Sequence, residues 1–143
     1  MFRFQIRVRY ADVDQMGWVY YGNYLRWFEI GRAEMMRASG TSYAEFERTE
    51  GVLLPVVEAR CRYVRGARYD ETVTIECGVL DLARARLRFG YRIVGGDGAV
   101  CAYGLTEHCC TTADARLVRL PPRLLALLER APRADADLAR QLG

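Results

Sequence analysis

Lysine is absent from this chain: all 21 of its Lys and Arg positions are arginine. Schiff-base and lysine general-base chemistry are therefore closed to it, although guanidinium forks suit phosphate groups. Histidine is nearly absent too. His108 stands alone, which excludes a His-rich metal site. The five cysteines, Cys61, Cys77, Cys101, Cys109 and Cys110, are an odd number and include no Cys-x-x-Cys. Most fall at apolar strand positions, where a free thiol behaves as a small hydrophobe. The expectation is structural cysteine and no metal. No apolar run approaches the roughly 20 residues that span a bilayer. The first residues, Met-Phe-Arg-Phe-Gln-Ile-Arg, alternate instead of forming a signal-peptide core, so the expectation is a cytoplasmic protein with no membrane contact. A formal net charge of +3 is too small to imply nucleic acid.

What is present is a single domain over residues 1–143, with no linker and no internal repeat. Phe2, Phe4, Ile6, Val8 and Tyr10 alternate with Arg3, Gln5, Arg7 and Arg9, which predicts a half-buried strand. From Asn23 to Ala38 the period changes. Tyr24, Trp27, Phe28, Gly31 and Met35 form a helical stripe flanked by Leu25, Ile30, Ala33 and Met36, an arc wide enough for a helix enclosed by a sheet. Gly40 stops it. Tyr43 to Glu50 reads as a short helix capped by Ser42, with Glu45 completing a capping box. Three further strands follow around 57–63, 72–79 and 84–93. A Gly95-Gly96-Asp97-Gly98 hairpin turn leads to a fourth over 99–111. Pro121-Pro122 opens a helix to about Glu129. The Ala/Arg/Asp-rich tail, residues 131–143, either frays or continues helically. The short joins require antiparallel pairing. The fold class is therefore α+β, a curved antiparallel sheet around a long central helix. Its edges and outer face call for oligomerisation.

The polar chemistry concentrates in residues 10–24, Tyr-Ala-Asp-Val-Asp-Gln-Met-Gly-Trp-Val-Tyr-Tyr-Gly-Asn-Tyr. Asp12 and Asp14 lie in a loop between strand and helix. Asp14 is therefore near a helix N-terminus, where unpaired N–H groups and the positive dipole end gather. A carboxylate beside such amides suits attack on a carbonyl and stabilisation of its oxyanion. The plainer reading is a loop carboxylate that starts the helix. Asp12 fits an Asx-type loop bond. Gly17 fits a backbone geometry or close approach that a side chain would block. Asn23 fits either a helix cap or a substrate contact.

The stretch Arg9-Tyr10-Ala11-Asp12-Val13-Asp14-Gln15-Met16-Gly17 through Tyr21-Gly22-Asn23-Tyr24 resembles the hotdog-fold 4-hydroxybenzoyl-CoA thioesterase and short acyl-CoA thioesterase family. Two further blocks match, Tyr63 to Glu71 and Asp97-Gly98 with Thr106-Glu107-His108, so the resemblance covers roughly residues 3–130. It implies an acyl-CoA thioester hydrolase with no cofactor, the CoA moiety being part of the substrate. It also implies a homo-oligomer, a dimer or homotetramer, with active sites at a subunit interface. Asp14 falls on the family's catalytic aspartate, acting as general base or as nucleophile. The N–H groups of Tyr21 and Gly22 fall on its oxyanion donors. Gly17, Trp18 and Asn23, around Asp14 and the helix start, are candidates for substrate binding by residue type and place, and Arg84 by its match to the family. By residue type, Trp18, Tyr20 and Tyr21 fit either an aromatic acyl pocket or the core. Tyr21 stands where many members place His. Arg84 matches a basic residue that meets CoA phosphates, but Ala83 and Ala85 beside it are neutral.

Two other readings use the same fold. One is a binding module for acyl thioesters without turnover. The other is a hotdog dehydratase or hydratase, using Glu29 on the central helix and His108. Against the second, Glu29 has Arg26 and Arg32 at ion-pair spacing, and His108 fits a satisfied strand histidine.

Overall fold

The structure is a computed structural model that describes all residues 1–143. Five antiparallel strands form the main sheet in the order β1-β4-β5-β6-β3. They are β1 (Phe2–Arg7), β3 (Val56–Tyr63), β4 (Thr72–Leu82), β5 (Arg86–Val94) and β6 (Val100–Cys109). A small second sheet pairs β2 (Val52–Leu53) with β7 (Thr111–Thr112). The helices are α1 (Asn23–Ala38), α2 (Tyr43–Glu50), α3 (Pro122–Arg130) and α4 (Ala136–Leu142). This is the expected hotdog arrangement, with two additions: the β2–β7 pair and the separate helix α4.

Helix α1 lies close against the sheet because two glycines make room for it. A Cβ on Gly31 would sit 2.6 Å from Ile75 Cγ2. A Cβ on Gly104 would run into the Phe28 ring, which stacks on Tyr91 with centroids 4.5 Å apart. Register explains the match: Cys77, Tyr91 and Gly104 stand opposite one another across β4, β5 and β6. Trp27, Phe28, Met35 and Met36 are thereby buried with Ile75, Phe89 and Ile93. Ser42 Oγ accepts from the Glu45 N–H at 3.1 Å and starts α2. Gly51, at φ 68, ends it in the left-handed region. All five cysteines are free thiols, three of them buried.

Three expectations are corrected. Tyr10 does not extend the buried face of β1. The chain turns into a 3-10 segment at Tyr10–Asp12, and Tyr10 stacks on Tyr69 at 4.0 Å, exposed. The alternating residues of β3 are not core: Val57 is 56% exposed, because β3 pairs only with β6 and nothing in the chain covers its other edge. Glu29 makes no ion pair with Arg26 or Arg32, so the spacing alone did not bring them together.

The outer sheet face is covered by the chain's own tail. Val79 N–H donates to Pro132 O at 2.8 Å and Ala134 N–H to Val79 O at 3.0 Å. Gly78 permits that approach, since a Cβ there would lie 2.5 Å from Ala134 N. Asp135 caps α4 by accepting from Leu138 N–H at 2.8 Å. The arginine-rich face of β5 is correspondingly paired. Arg92 meets Glu76 at 2.6 Å, Asp135 at 2.6 Å and Asp137 at 3.1 Å. Arg88 meets Glu107 at 2.5 Å and Arg86 meets Asp81 at 2.8 Å.

Candidate active site

The loop between β1 and α1 closes as a miniature hairpin, with Val13 bridged antiparallel to Val19. Asp14 N–H donates to Trp18 O at 2.9 Å and Gly17 N–H donates to Asp14 O at 3.0 Å. Gly17 has φ 84, and a Cβ there would meet only the Arg68 guanidinium, at 3.8 Å, so backbone conformation and not crowding selects glycine. Asp14 Oδ1 accepts from Met16 N–H at 2.9 Å. Its Oδ2 accepts nothing within the chain, and no cation pairs with it.

Asp12 carries the loop. Its Oδ2 accepts from Arg9 N–H at 2.8 Å. Its carbonyl oxygen accepts from Tyr20 N–H at 2.8 Å and from Asn23 Nδ2 at 2.9 Å. The buried Asn23 amide thus ties the helix start to the loop, which is a positioning task. Trp18 is also engaged: its ring covers Gly66, where a Cβ would clash, and the Arg68 guanidinium lies 3.8 Å over it. Val19 N–H donates to Ala67 O at 2.9 Å, so residues 64–71 brace the loop from behind.

Helix α1 begins without a side-chain cap at Gly22. Neither Tyr21 N–H nor Gly22 N–H finds an acceptor in the chain. Tyr21, 63% exposed, borders these amides. A cluster of aromatics surrounds the helix start: Tyr20 against Tyr21 at 4.7 Å, Tyr63 edge-on to Tyr21 at 6.4 Å and to Tyr24 at 5.2 Å. The Tyr21 hydroxyl, and more weakly the Asp14 carboxylate, hold the Tyr20 phenol above its usual range.

Two sequence-selected residues are elsewhere. Arg84 lies in the β4–β5 turn, exposed, with its carbonyl accepting from Leu120 N–H at 2.7 Å. That turn is at the far end of β4 from Thr72, which pairs with Arg7 just before the Asp14 loop. Eleven strand residues separate the two ends, about 35 Å. His108 is 1% exposed, with Nδ1 3.0 Å from Leu54 O and Nε2 2.9 Å from Thr106 Oγ1. Burial pushes its pKa down to about 4. The residue that sequence reasoning missed is Tyr63, whose hydroxyl donates to Tyr21 O at 2.8 Å.

No group of three or more His, Cys, Asp or Glu side chains is placed to hold a metal ion. No helix is long and apolar enough to cross a membrane.

The family model described as the thioesterase-like superfamily matches residues 8–142. The chain belongs to the thioesterase-like superfamily. It is 30% identical over 137 residues to the 1,4-dihydroxy-2-naphthoyl-CoA hydrolase of Thermosynechococcus vestitus, covering 94% of this chain and 92% of that one. It is 30% identical over 100 residues to the acyl-CoA thioester hydrolase YbgC of Escherichia coli O6:H1, covering 70% and 74%. The crystal structure of the DHNA-CoA thioesterase from Staphylococcus aureus superposes with a TM-score of 0.85 at 31% identity, over 90% of this chain and 88% of that one.

Proposed function

We propose that this thioesterase-like chain hydrolyses an acyl-CoA thioester to the free acid and CoA. The observation that carries the reading is a pairing at the start of α1. A carboxylate oxygen that accepts no hydrogen bond, Asp14 Oδ2, stands in the loop that leads into α1, and two amides at the start of that helix, those of Tyr21 and Gly22, donate none. The relatives named for CoA-thioester hydrolysis support it.

The chemistry follows from that pairing. The Tyr21 and Gly22 N–H groups point partial positive charge at a thioester oxygen, as a helix start does. Asp14 Oδ2 takes a proton from water as the water attacks the carbonyl carbon. The oxygen becomes an oxyanion, which the amides stabilise more strongly than the neutral carbonyl. The tetrahedral intermediate collapses, the C–S bond breaks and the CoA thiolate leaves, and Asp14 Oδ2 passes its proton to the departing sulfur or to solvent, restoring the carboxylate. Thiolates are good leaving groups, so no general acid is obligatory. The general base contributes about 10²–10⁴-fold. The Met16 N–H bond to Oδ1 keeps the carboxylate from turning away.

The site is proposed to be completed by a second copy. Exposed Val56, Val57, Tyr63 and Val64 line the free edge of β3. A two-fold axis pairing β3 antiparallel with its copy sets the Tyr63 end of one strand beside the Val56 end of the other. Val56, His108 and Leu87 are in register at that second end, next to the turn holding Arg84. A partner copy is thus the route by which Arg84 reaches the CoA of a site built on Asp14. The dehydratase alternative is disfavoured because both ring nitrogens of His108 are occupied in the core.

The test is thiol release from a panel of CoA thioesters: aliphatic from short to long, benzoyl and hydroxybenzoyl. Release above the uncatalysed rate from at least one is expected. Calorimetric binding of these thioesters with no release from any would replace the hydrolase with a binding module.

A further inference from the structure

The Tyr21–Gly22 peptide is one plane with two hydrogen-bonding ends. Its N–H, on Gly22, finds no acceptor in the chain. Its C=O, on Tyr21, accepts from the Tyr63 hydroxyl at 2.8 Å and from Tyr24 N–H at a long 3.4 Å. In a trans peptide the C=O and N–H point in opposite directions. Whatever grips the oxygen therefore aims the N–H. Tyr63 comes from the end of β3, not from α1, so the grip is a tertiary one. It is also braced: the Tyr63 ring stands edge-on to Tyr21 and Tyr24. The Tyr20 ring lies against Gly22, where a Cβ would meet it at 2.9 Å. The plane is held on its carbonyl side and on one flank, and only the N–H side is open.

Resting on the proposed hydrolase reading, we infer that Tyr63 is a positioning residue for the oxyanion donor. Its hydroxyl fixes the Tyr21–Gly22 peptide plane and, by polarising the carbonyl, strengthens the Gly22 N–H as a donor. Hydrogen bonds in a chain reinforce one another: a peptide that accepts at oxygen donates better at nitrogen. Tyr63 touches neither substrate nor reacting atoms in this arrangement. Its effect is felt where charge develops, on the thioester oxygen, and hence in kcat more than in KM. A tyrosine, and not a phenylalanine, at the end of an exposed edge strand thereby has a reason. The ring alone would serve the aromatic packing.

The experiment uses the CoA thioester turned over fastest in the panel, labelled with 13C at its carbonyl. Tyr63→Phe keeps the ring and removes the hydroxyl. It is expected to lower kcat by roughly tenfold, the worth of one hydrogen bond, with KM little changed. In an Asp14→Asn background, which binds without turnover, the infrared carbonyl band reads donor strength directly. Adding Tyr63→Phe moves that band to higher frequency. Placing 3-fluorotyrosine at position 63, a stronger donor of the same shape, moves it lower. That arm alone decides the matter should the Phe variant not fold. Wild-type kcat in Tyr63→Phe, or a kcat loss with an unmoved carbonyl band, overturns the inference. Undiminished turnover in Asp14→Asn would instead overturn the hydrolase mechanism beneath it.

Discussion

Asp14 is held by one carboxylate oxygen and left open at the other, and the residues around it divide by what they hold. Met16 N–H pins Oδ1. Asp12 and Asn23 tie loop to helix, and Trp18 seals the loop against Gly66 and Arg68. The Asp-x-Asp pair and the helix start were legible in sequence, because a change from period 2 to period 3.6 across a short loop marks them. The task of Trp18 was not legible, since its partners lie far along the chain in a loop without periodicity. Tyr63 was legible as a strand residue and as the start of the block running to Glu71, but its task was not, because the bond that matters is made to a backbone atom and leaves no mark on residue type. His108 carries a prediction of its own. Burial lowers its pKa from 6.5 to about 4, so between those values the unfolded chain binds a proton that the folded one refuses. The stability contributed by neutral His108 is complete above about pH 6.5 and is lost as the pH falls towards 4, by about 3 kcal/mol in all. Melting temperature should fall on acidification across that window, and His108→Gln should flatten the dependence. An equal slope in the variant would assign the acid sensitivity to other groups.

Among the elements, the tail is the one whose composition left fraying and helix both open, and it is helical over Ala136–Leu142. Residues 131–143 dock on the outer face of β4 and β5. The docking rests on Gly78, on the ladder bonds of Val79, and on Arg92 with three carboxylates. Composition could not reveal this, because the receptors are a glycine, a backbone edge and a charge on distant strands. Strand patterns did reveal β4 and β5, whose alternation survives burial on both faces. Gly78→Ala should push its Cβ into Ala134 N and Arg133 C and cost about 2 kcal/mol. Hydrogen exchange would then show Leu138 losing protection while β5 keeps its own. Retained protection at Leu138 would mean that α4 is not seated through Gly78. Arg92→Leu leaves the buried Glu76 with only Arg3, at 2.9 Å. It should lower stability by about 3 kcal/mol in urea unfolding, and a neutral result would show that the cluster is solvated.

For the whole molecule, a face closed by its own tail leaves the β3 edge as the exposed apolar strip. In the proposed dimer, pairing along β3 brings Arg84 of one copy towards Asp14 of the other, two positions that lie at opposite ends of β4 within one chain. Mixing gives a direct readout. Arg84→Ala should raise KM for CoA thioesters and Asp14→Asn should abolish turnover. A hybrid dimer of the two variants contains one site with Asp14 from one copy and Arg84 from the other. Mixed and refolded together, the variants should regain wild-type KM in part of the population. No regained activity would place Arg84 outside the site.

Whether Asp14 carries the chemistry is read from kcat for Asp14→Asn beside wild type on the best CoA thioester, with circular dichroism confirming an unchanged fold. A loss of at least about 100-fold is expected. Turnover equal to wild type would show that Asp14 is a loop residue and that the water is activated elsewhere.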